Sequence, residues 1–252
     1  MKIMIYLKSA REIQIMGKNG KIVAEAIDLV SKNLKPGTKT KELDRLAKEF
    51  IESKEAQPAF YGYRGYPANI CISIDEEVVH GIPGERELRP GQVVSIDIGV
   101  FKDGYYADGA ATYLVQNSNQ ETVRLLDVTR KALHLGLDKA VAGNHLGDIS
   151  HTIQTYVEEN GYSVVRELVG HGIGKSMHEE PQVPNFGKPG TGPVLVPGMV
   201  LAIEPMVNAG AYQVLTKPDG WTIISADGSL SAHFEHTVAI TESGPVVLTN
   251  LN

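Results

Sequence analysis

The chain has 252 residues, and its content of 42% hydrophobic and 21% charged residues is ordinary for a folded globular protein and excludes general disorder. Its formal net charge of -6 at pH 7 gives no sign of the basic surface that nucleic-acid partners require. The single cysteine, Cys71, cannot form an intrachain disulfide and no stretch of about 18 apolar residues occurs, so we expect a cytoplasmic protein with no membrane and no sequence-specific nucleic-acid partner.

Taken in chain order, the predicted secondary-structure elements occur in the same order twice: two helices followed by strands. Apolar residues at a spacing of about 3.6 predict a helix that Ser9 caps and Pro36-Gly37 ends, and a second helix that begins near Thr38 or Thr40. Short β-branched runs interrupted by glycine and proline predict strands, after which a helix pair and a strand-rich region recur. The first strands are predicted at 70–74, 93–100 and 105–115, the second helix pair at 120–141 and 146–160, and the second strand-rich region from 163 onward.

The repetition extends to individual residues. When 37–52 is aligned with 143–158 without a gap, Glu42 meets Asp148 and Phe50 meets Tyr156. Chance similarity between two amphipathic helices is one explanation, but the repeated order of elements favours an internal duplication. We therefore predict one α+β domain, 1–252, whose halves are roughly 1–117 and 118–252 and pack around a shared central sheet.

Two aspartates interrupt the predicted strands of the first half. If Phe101 and Tyr106 lie opposite each other across the intervening turn, Asp108 lies opposite Gly99, and residues 97 and 99 share a face of the sheet. Asp97 and Asp108 then point the same way, near enough to contact one cation or a closely spaced pair. Unpaired aspartate is depleted in such strands, and buried charge requires a partner or a metal ion.

Three residues of the second half are equally out of place. His171 is flanked by glycines, Glu204 ends an apolar run before Pro205, and Glu235 lies within the run 234–238. Each alone is explained by packing or a salt bridge, but four carboxylates with one imidazole suit divalent ions and carry enough charge to neutralise two. Two ions would hold a bridging hydroxide as the nucleophile and polarise a scissile carbonyl, which predicts hydrolysis.

Further motifs are spread along almost the whole chain. They are Tyr63-Arg64-Gly65-Tyr66-Pro67, Cys71-Ile72-Ser73-Ile74, His80-Gly81-Ile82-Pro83, Gly170-His171-Gly172-Ile173-Gly174, His178-Glu179-Glu180-Pro181, Glu204-Pro205 and Glu235-His236. In this order, with Asp97 and Asp108, they resemble the type I methionine aminopeptidases. The resemblance implies the α+β pita-bread fold, in which two pseudo-twofold related halves pack their helices on a curved central antiparallel sheet. It also implies a single catalytic domain that removes the N-terminal (initiator) methionine from nascent proteins and prefers a small second residue.

The resemblance also assigns roles to the five interrupting side chains. It implies two divalent metal ions per chain, Co, Mn, Fe or Zn, among which the ligand types do not decide. Asp97 would chelate one ion, and His171 and Glu204 the other. Asp108 and Glu235 would bridge both. Glu204 would also be the general base that moves a proton from the bridging water toward the leaving amine.

A peptide pocket beside the ions is implied in the same way. His80 would contact the substrate near its amino end or scissile amide, and His178 the peptide carbonyl and the tetrahedral intermediate. The methionine side chain would enter a pocket of aromatic and sulfur groups, which suit a polarizable thioether. The pocket residues would be Phe60, Tyr63, Tyr66, Cys71, Trp221 and Met177, the last at a position where the family commonly has an aromatic residue. No catalytic role is expected for His134, His145, His151 or His233, and His236 is expected to act around the ligands rather than as one.

Two other functions fit part of this pattern. A prolidase or X-prolyl aminopeptidase shares the fold and the metal ligands, but such enzymes usually carry a large extra N-terminal domain. A non-catalytic peptide-binding protein on a decayed version of the fold would have no need of the full ligand set. We therefore expect a monomeric enzyme in the cytoplasm, whose partners are the N-terminal peptides of nascent proteins, including those at the ribosome.

Overall fold

The computed structural model describes residues 4–116 and 119–250, and over these ranges it contains four α-helices and fifteen β-strands. The helices are α1 (Ala10–Ser31), α2 (Thr40–Ser53), α3 (Gln120–Leu137) and α4 (Leu146–Glu159). The strands are β1 (Gln57–Pro58), β2 (Cys71–Ile74), β3 (Glu77–Val79), β4 (Val93–Lys102), β5 (Tyr105–Leu114), β6 (Ser163–Val164), β7 (Val169–Gly172), β8 (Glu179–Pro184), β9 (Val200–Ile203), β10 (Met206–Asn208), β11 (Val214–Thr216), β12 (Ile223–Ser225), β13 (Ser231–His233), β14 (Glu235–Thr241) and β15 (Gly244–Val247). None of the four described helices is long and apolar enough to cross a bilayer. The predicted boundary between the halves, at 117 and 118, lies outside the described residues.

The start of α1 is confirmed, whereas the predicted ends of α1 and α3 were wrong. Ser9 caps α1, because its hydroxyl accepts from the Glu12 amide and the Glu12 carboxylate accepts from the Ser9 amide at 2.7 Å. The helix ends at Ser31 rather than at Pro36-Gly37, and α3 ends at Leu137 rather than near residue 141. Beyond both ends, amides bond to carbonyls three residues back, the tight geometry that commonly finishes a helix.

Within the described residues the largest sheet has nine strands, all paired antiparallel. Its order is β1-β4-β5-β14-β9-β7-β8, with β2 added on β4 and β15 on β14. The predicted β4–β5 register is confirmed: Phe101 lies opposite Tyr106 and Gly99 opposite Asp108. Asp103 and Gly104, both at positive φ, form the tight turn between these strands.

Each helix pair packs against the strands of its own half. One apolar cluster joins α1 and α2 to β4 and β5, and another joins α3 and α4 to β9 and β14. Ile96 and Ile98 belong to the first cluster and are both fully buried beneath the helices. Because side chains alternate along a strand, Asp97 between them points to the opposite face of the sheet. That face carries the candidate site.

Candidate active site

The five predicted metal ligands lie on neighbouring strands of the nine-stranded sheet. Asp97 is on β4, Asp108 on β5, Glu235 on β14, Glu204 directly after β9, and His171 on β7, which is the order of these strands in space. The strand pairing aligns Asp97 and Glu235 across the sheet, since Ala110 of β5 lies opposite Asp97 on one side and opposite Glu235 on the other. Residues from both halves of the chain therefore line one pocket, whose lining includes all five.

The separations within the cluster are those of groups around an ion. Ligand atoms of Asp108, His171 and Glu235 all lie within 4.8 Å of one another. His171 Nε2 is 3.5 Å from Asp108 Oδ2 and 3.6 Å from Glu204 Oε1. His171 Nδ1 lies 2.9 Å from the carbonyl oxygen of Gly172, which can only accept, so Nδ1 carries the proton. The Nε2 lone pair is therefore free to bind a metal ion.

The buried carboxylates of the cluster also require positive charge to compensate theirs. Burial raises the pKa of Asp97 and of Glu204 to about 8, and repulsion from Asp108 adds to both shifts. Burial likewise raises the pKa of Asp108 and of Glu235. Among the described residues, Asp97 Oδ1 and Glu235 Oε1 are buried without a hydrogen-bond partner. Such unpaired carboxylate atoms are costly unless a positive charge meets them, so these residues fit divalent metal ions.

These pKa shifts predict how the stability of the metal-free chain depends on pH. Because the pKa of Asp97 and of Glu204 is raised to about 8, the folded chain keeps protons that the unfolded chain releases above about pH 4. In chelator, the free energy of unfolding is therefore expected to fall between about pH 4 and about pH 8. At pH 8, an ion present at about 100 times its Kd should restore about 2.7 kcal/mol, or roughly 5–10 °C in Tm.

Thermal unfolding at pH 5, 6, 7 and 8, with chelator or with Mn or Co, measures this dependence. The control is Asp97→Asn, which removes one of the carboxylates with a raised pKa. In chelator, the Tm of this variant should depend less on pH than that of the wild type. A chelated wild-type chain that grows more stable toward pH 8 would contradict the assignment of these carboxylates as buried and mutually repelling.

Beside the ligands the pocket has aromatic walls. The predicted substrate-binding residues that line it are Phe60, Tyr63, Tyr66, Cys71, Trp221, His80 and His178. The Tyr66 and Trp221 rings meet edge to face at 5.2 Å, and the Tyr66 hydroxyl donates to the carbonyl of Gly81 at 2.9 Å. Arg64, which the sequence interpretation did not assign, also lines the pocket.

Met177 is placed behind the pocket rather than in its lining. The side chain is 1% exposed and packs in an apolar cluster with Phe60 and Ala59. A Cβ at Gly99 would come within 2.5 Å of the Phe60 ring and 2.9 Å of the Met177 methyl, so both side chains close over that glycine. Met177 therefore packs against Phe60, which lines the pocket, and is almost completely buried.

His80 reaches the pocket through a strained backbone. Its φ is 59°, in the left-handed region that side chains seldom adopt. Gly81 follows it because a Cβ there would lie 2.2 Å from the carbonyl oxygen of Ile72. Burial lowers the pKa of His80 to about 4, and the nearby His233 adds to the shift. The ring is therefore neutral at pH 7.

His178 lines the pocket beside His171. Its Nδ1 is 2.8 Å from the Tyr63 hydroxyl, the two rings stack at 5.3 Å, and the His171 ring is 4.2 Å away. Although the ring is exposed on one side, its partial burial lowers the pKa of His178 to about 3. The following residue, Glu179, forms a buried 2.6 Å ion pair with Lys8, which holds the loop in place.

His233, for which the sequence predicted no catalytic role, also lies beside the predicted ligands. It is 1% exposed, and its Nε2 lies 3.6 Å from Glu204 Oε2. Its spacing of two from Glu235 was the available signal, because residues two apart in extended chain share a face. His236, by contrast, points away from the cluster, and its Nδ1 is 2.9 Å from the Thr249 hydroxyl.

These features define a class of protein, one whose pocket combines a buried, carboxylate-rich cluster that fits divalent metal ions with aromatic walls. Residues 14–242 match the family described as metallopeptidase family M24. A methionine aminopeptidase of Clostridium perfringens is 53% identical over 98% of this chain and 99% of its own length. The crystal structure of methionine aminopeptidase from Thermotoga maritima superposes with a TM-score of 0.97 at 46% identity, over 98% of this chain and all of that one.

The chain therefore belongs to the M24 metallopeptidases and, within them, to the methionine aminopeptidases, a family of metallo-exopeptidases. The predicted α+β pita-bread fold is confirmed by the same likeness. A prolidase from Pyrococcus furiosus has this fold as well, with a TM-score of 0.80 at 23% identity over 98% of this chain and 66% of the prolidase. At that identity the likeness concerns the fold alone.

Proposed function

We propose that this enzyme removes the N-terminal (initiator) methionine from nascent proteins with two divalent metal ions, and that it prefers a small second residue. The observation that supports the proposal is that one pocket is lined by the five predicted metal ligands together with aromatic side chains and a cysteine. The predicted ligands and the aromatic side chains line the same pocket, so a peptide whose first side chain packs against the aromatic wall would present its scissile amide to the ligands. This arrangement suits an exopeptidase that acts on one terminal residue.

The ligand set supports two ions. Asp97 would hold one, and His171 with Glu204 the other. Asp108 and Glu235, on the strands between them, would contact both. When bound, the ions supply a water molecule that is nucleophilic at neutral pH and a Lewis acid for the scissile carbonyl.

The protein's own groups perform the proton transfers and orient the substrate. Glu204 accepts a proton from the attacking water at its carboxylate and passes it to the leaving amine, so that it acts first as a base and then as an acid. When the Tyr63 hydroxyl donates to Nδ1 of His178, the ring proton lies on Nε2, and this N–H donates to the carbonyl oxygen as negative charge develops. The neutral His80 binds the substrate near its amino end or scissile amide.

The proposed side-chain pocket suits methionine for physical reasons. Sulfur makes favourable contacts at ring edges, and Tyr66, Trp221 and Phe60 offer rings while the buried Cys71 offers a soft neighbour. The Tyr66 hydroxyl is fixed by Gly81 and its ring by Trp221, so the walls are set before substrate binds. A branched first side chain would clash with these walls. A charged first side chain would lose its hydration in the pocket.

Peptide turnover tests the proposal directly. With added Mn or Co, the enzyme should release methionine from Met-Ala-Ser, release much less from a peptide with a large second residue, and leave X-Pro peptides intact. Chelator should abolish release, and elemental analysis of protein purified without oxygen should give two ions per chain. Cleavage of X-Pro peptides in place of Met-Ala-Ser would assign a prolidase-type activity instead, and cleavage of neither would favour a peptide-binding role.

The proposal includes a cellular setting. We place the enzyme in the cytoplasm as a monomer, where it meets the N-terminal peptides of nascent proteins at the ribosome. Sedimentation of the purified chain would give its oligomeric state, and co-sedimentation with translating ribosomes would measure the association. A stable dimer, or absence from ribosome fractions, would correct these two points without affecting the proposed chemistry.

A further inference from the structure

His233 is buried in a way that the reaction described above does not explain. Its backbone is fixed, since its amide donates to the Thr112 hydroxyl at 2.9 Å and that hydroxyl donates to its carbonyl at 2.7 Å. Its ring is enclosed, yet among the described residues neither ring nitrogen has a hydrogen-bond partner. Buried polar groups nearly always have one, and exceptions commonly mark a functional group or a missing ion.

The nearest carboxylate to His233 is Glu204, whose two oxygens face different imidazoles. Oε1 lies 3.6 Å from His171 Nε2, and Oε2 lies 3.6 Å from His233 Nε2. Asp108 is divided in the same way: Oδ2 lies 3.5 Å from His171 Nε2, and Oδ1 accepts from the Thr237 hydroxyl at 3.2 Å. Each carboxylate thus turns one oxygen toward the ligand cluster and the other toward a group of the protein.

We propose that His233 is a positioning residue for the metal centre, whose imidazole donates its Nε2–H to Oε2 of Glu204. The donation keeps Oε1 directed toward His171 and the proposed ion. The 3.6 Å separation is longer than a hydrogen bond, so the proposed bond requires a small movement of one of the two side chains. Donors of this kind, bonded to a ligating carboxylate, orient it and raise metal affinity. The inference rests on the proposed metal centre.

Two substitutions separate this role from simple packing. His233→Leu fills the space but has no donor, whereas His233→Gln keeps an N–H donor at similar length. Calorimetric titration with Mn or Co should show His233→Leu weakening one ion by about 10–100-fold, with His233→Gln recovering most of that affinity. The visible absorption of the Co(II) form should change in His233→Leu and return toward wild type in His233→Gln. In chelator, the Tm of His233→Leu should not fall, because leucine also removes Nδ1, a buried polar atom without a hydrogen-bond partner among the described residues.

The outcomes distinguish the inference from the function on which it rests. Equal metal affinity in wild type and His233→Leu would overturn the inference alone, as would a His233→Gln variant no better than His233→Leu. If His233→Leu lost as much free energy of unfolding in chelator as it lost free energy of metal binding, the residue would have only a packing role. A wild-type chain that binds no divalent ion would instead overturn the proposed metal centre itself.

Discussion

Replacing Glu235 with alanine is expected to reduce kcat/KM for Met-Ala-Ser by about 10³-fold or more, since the proposed ions supply several kcal/mol of transition-state stabilisation. Glu235 lies on β14 between the strands of the other ligands, and its Oε1 is buried without a partner among the described residues. In the proposed centre this carboxylate would contact both ions, and no other residue of the pocket is proposed to take that place. The variant should therefore bind fewer than two ions per chain.

Metal content and peptide turnover, measured on the same preparation, check this result. Glu235→Gln keeps the shape and removes the charge, so it should resemble Glu235→Ala in activity. Glu242→Gln, at an exposed position just beyond the same strand, is the matched control and should behave as wild type. In chelator, Glu235→Ala should be at least as stable as wild type, because it removes a carboxylate whose pKa burial and repulsion raise. A variant that retained two ions and near-normal turnover would remove Glu235 from the proposed centre.

The β4–β5 hairpin shows why part of the site was readable from the sequence. A two-residue turn at Asp103-Gly104 sets the pairing of Phe101 with Tyr106, and alternation then places Asp97 and Asp108 on one face. Both rules are local. The same local reasoning located the Ser9 cap and the helix pairs, because spacing and capping need no knowledge of distant neighbours.

Other features depend on which distant segments meet, and the sequence alone does not contain that information in readable form. His233 belongs to the site because Glu204, at the end of β9, turns one oxygen toward it. Met177 lies behind Phe60 because the loop between β7 and β8 folds back onto Gly99. In both cases spacing along the chain gives the same pattern whether a side chain enters the pocket or packs beside it.

His178 is expected to contribute the second large effect, and its neighbour Tyr63 a smaller one. With the pKa of His178 lowered to about 3, the ring is neutral at pH 7 and carries a single N–H. Tyr63, 2.8 Å from Nδ1, places that proton on Nε2 when its hydroxyl donates. His178→Ala should therefore lower kcat by about 10²–10³-fold, the usual loss of a donor to a developing oxyanion. Tyr63→Phe leaves the donor in place but unfixed, so a loss of about 1 kcal/mol, or roughly fivefold, is expected.

The division between kcat and KM decides between this role and simple substrate binding. A donor that acts in the transition state lowers kcat and kcat/KM together, whereas a uniform binding contact raises KM and leaves kcat unchanged. Tyr61→Phe is the matched control, since Tyr61 is 68% exposed and does not line the pocket. If His178→Ala raised only KM, or if Tyr61→Phe lost as much activity as Tyr63→Phe, His178 would be a contact for the peptide rather than for its transition state. The pH profile adds a further test, because a ring that is neutral from about pH 4 upward contributes no limb near pH 6 to the wild-type kcat.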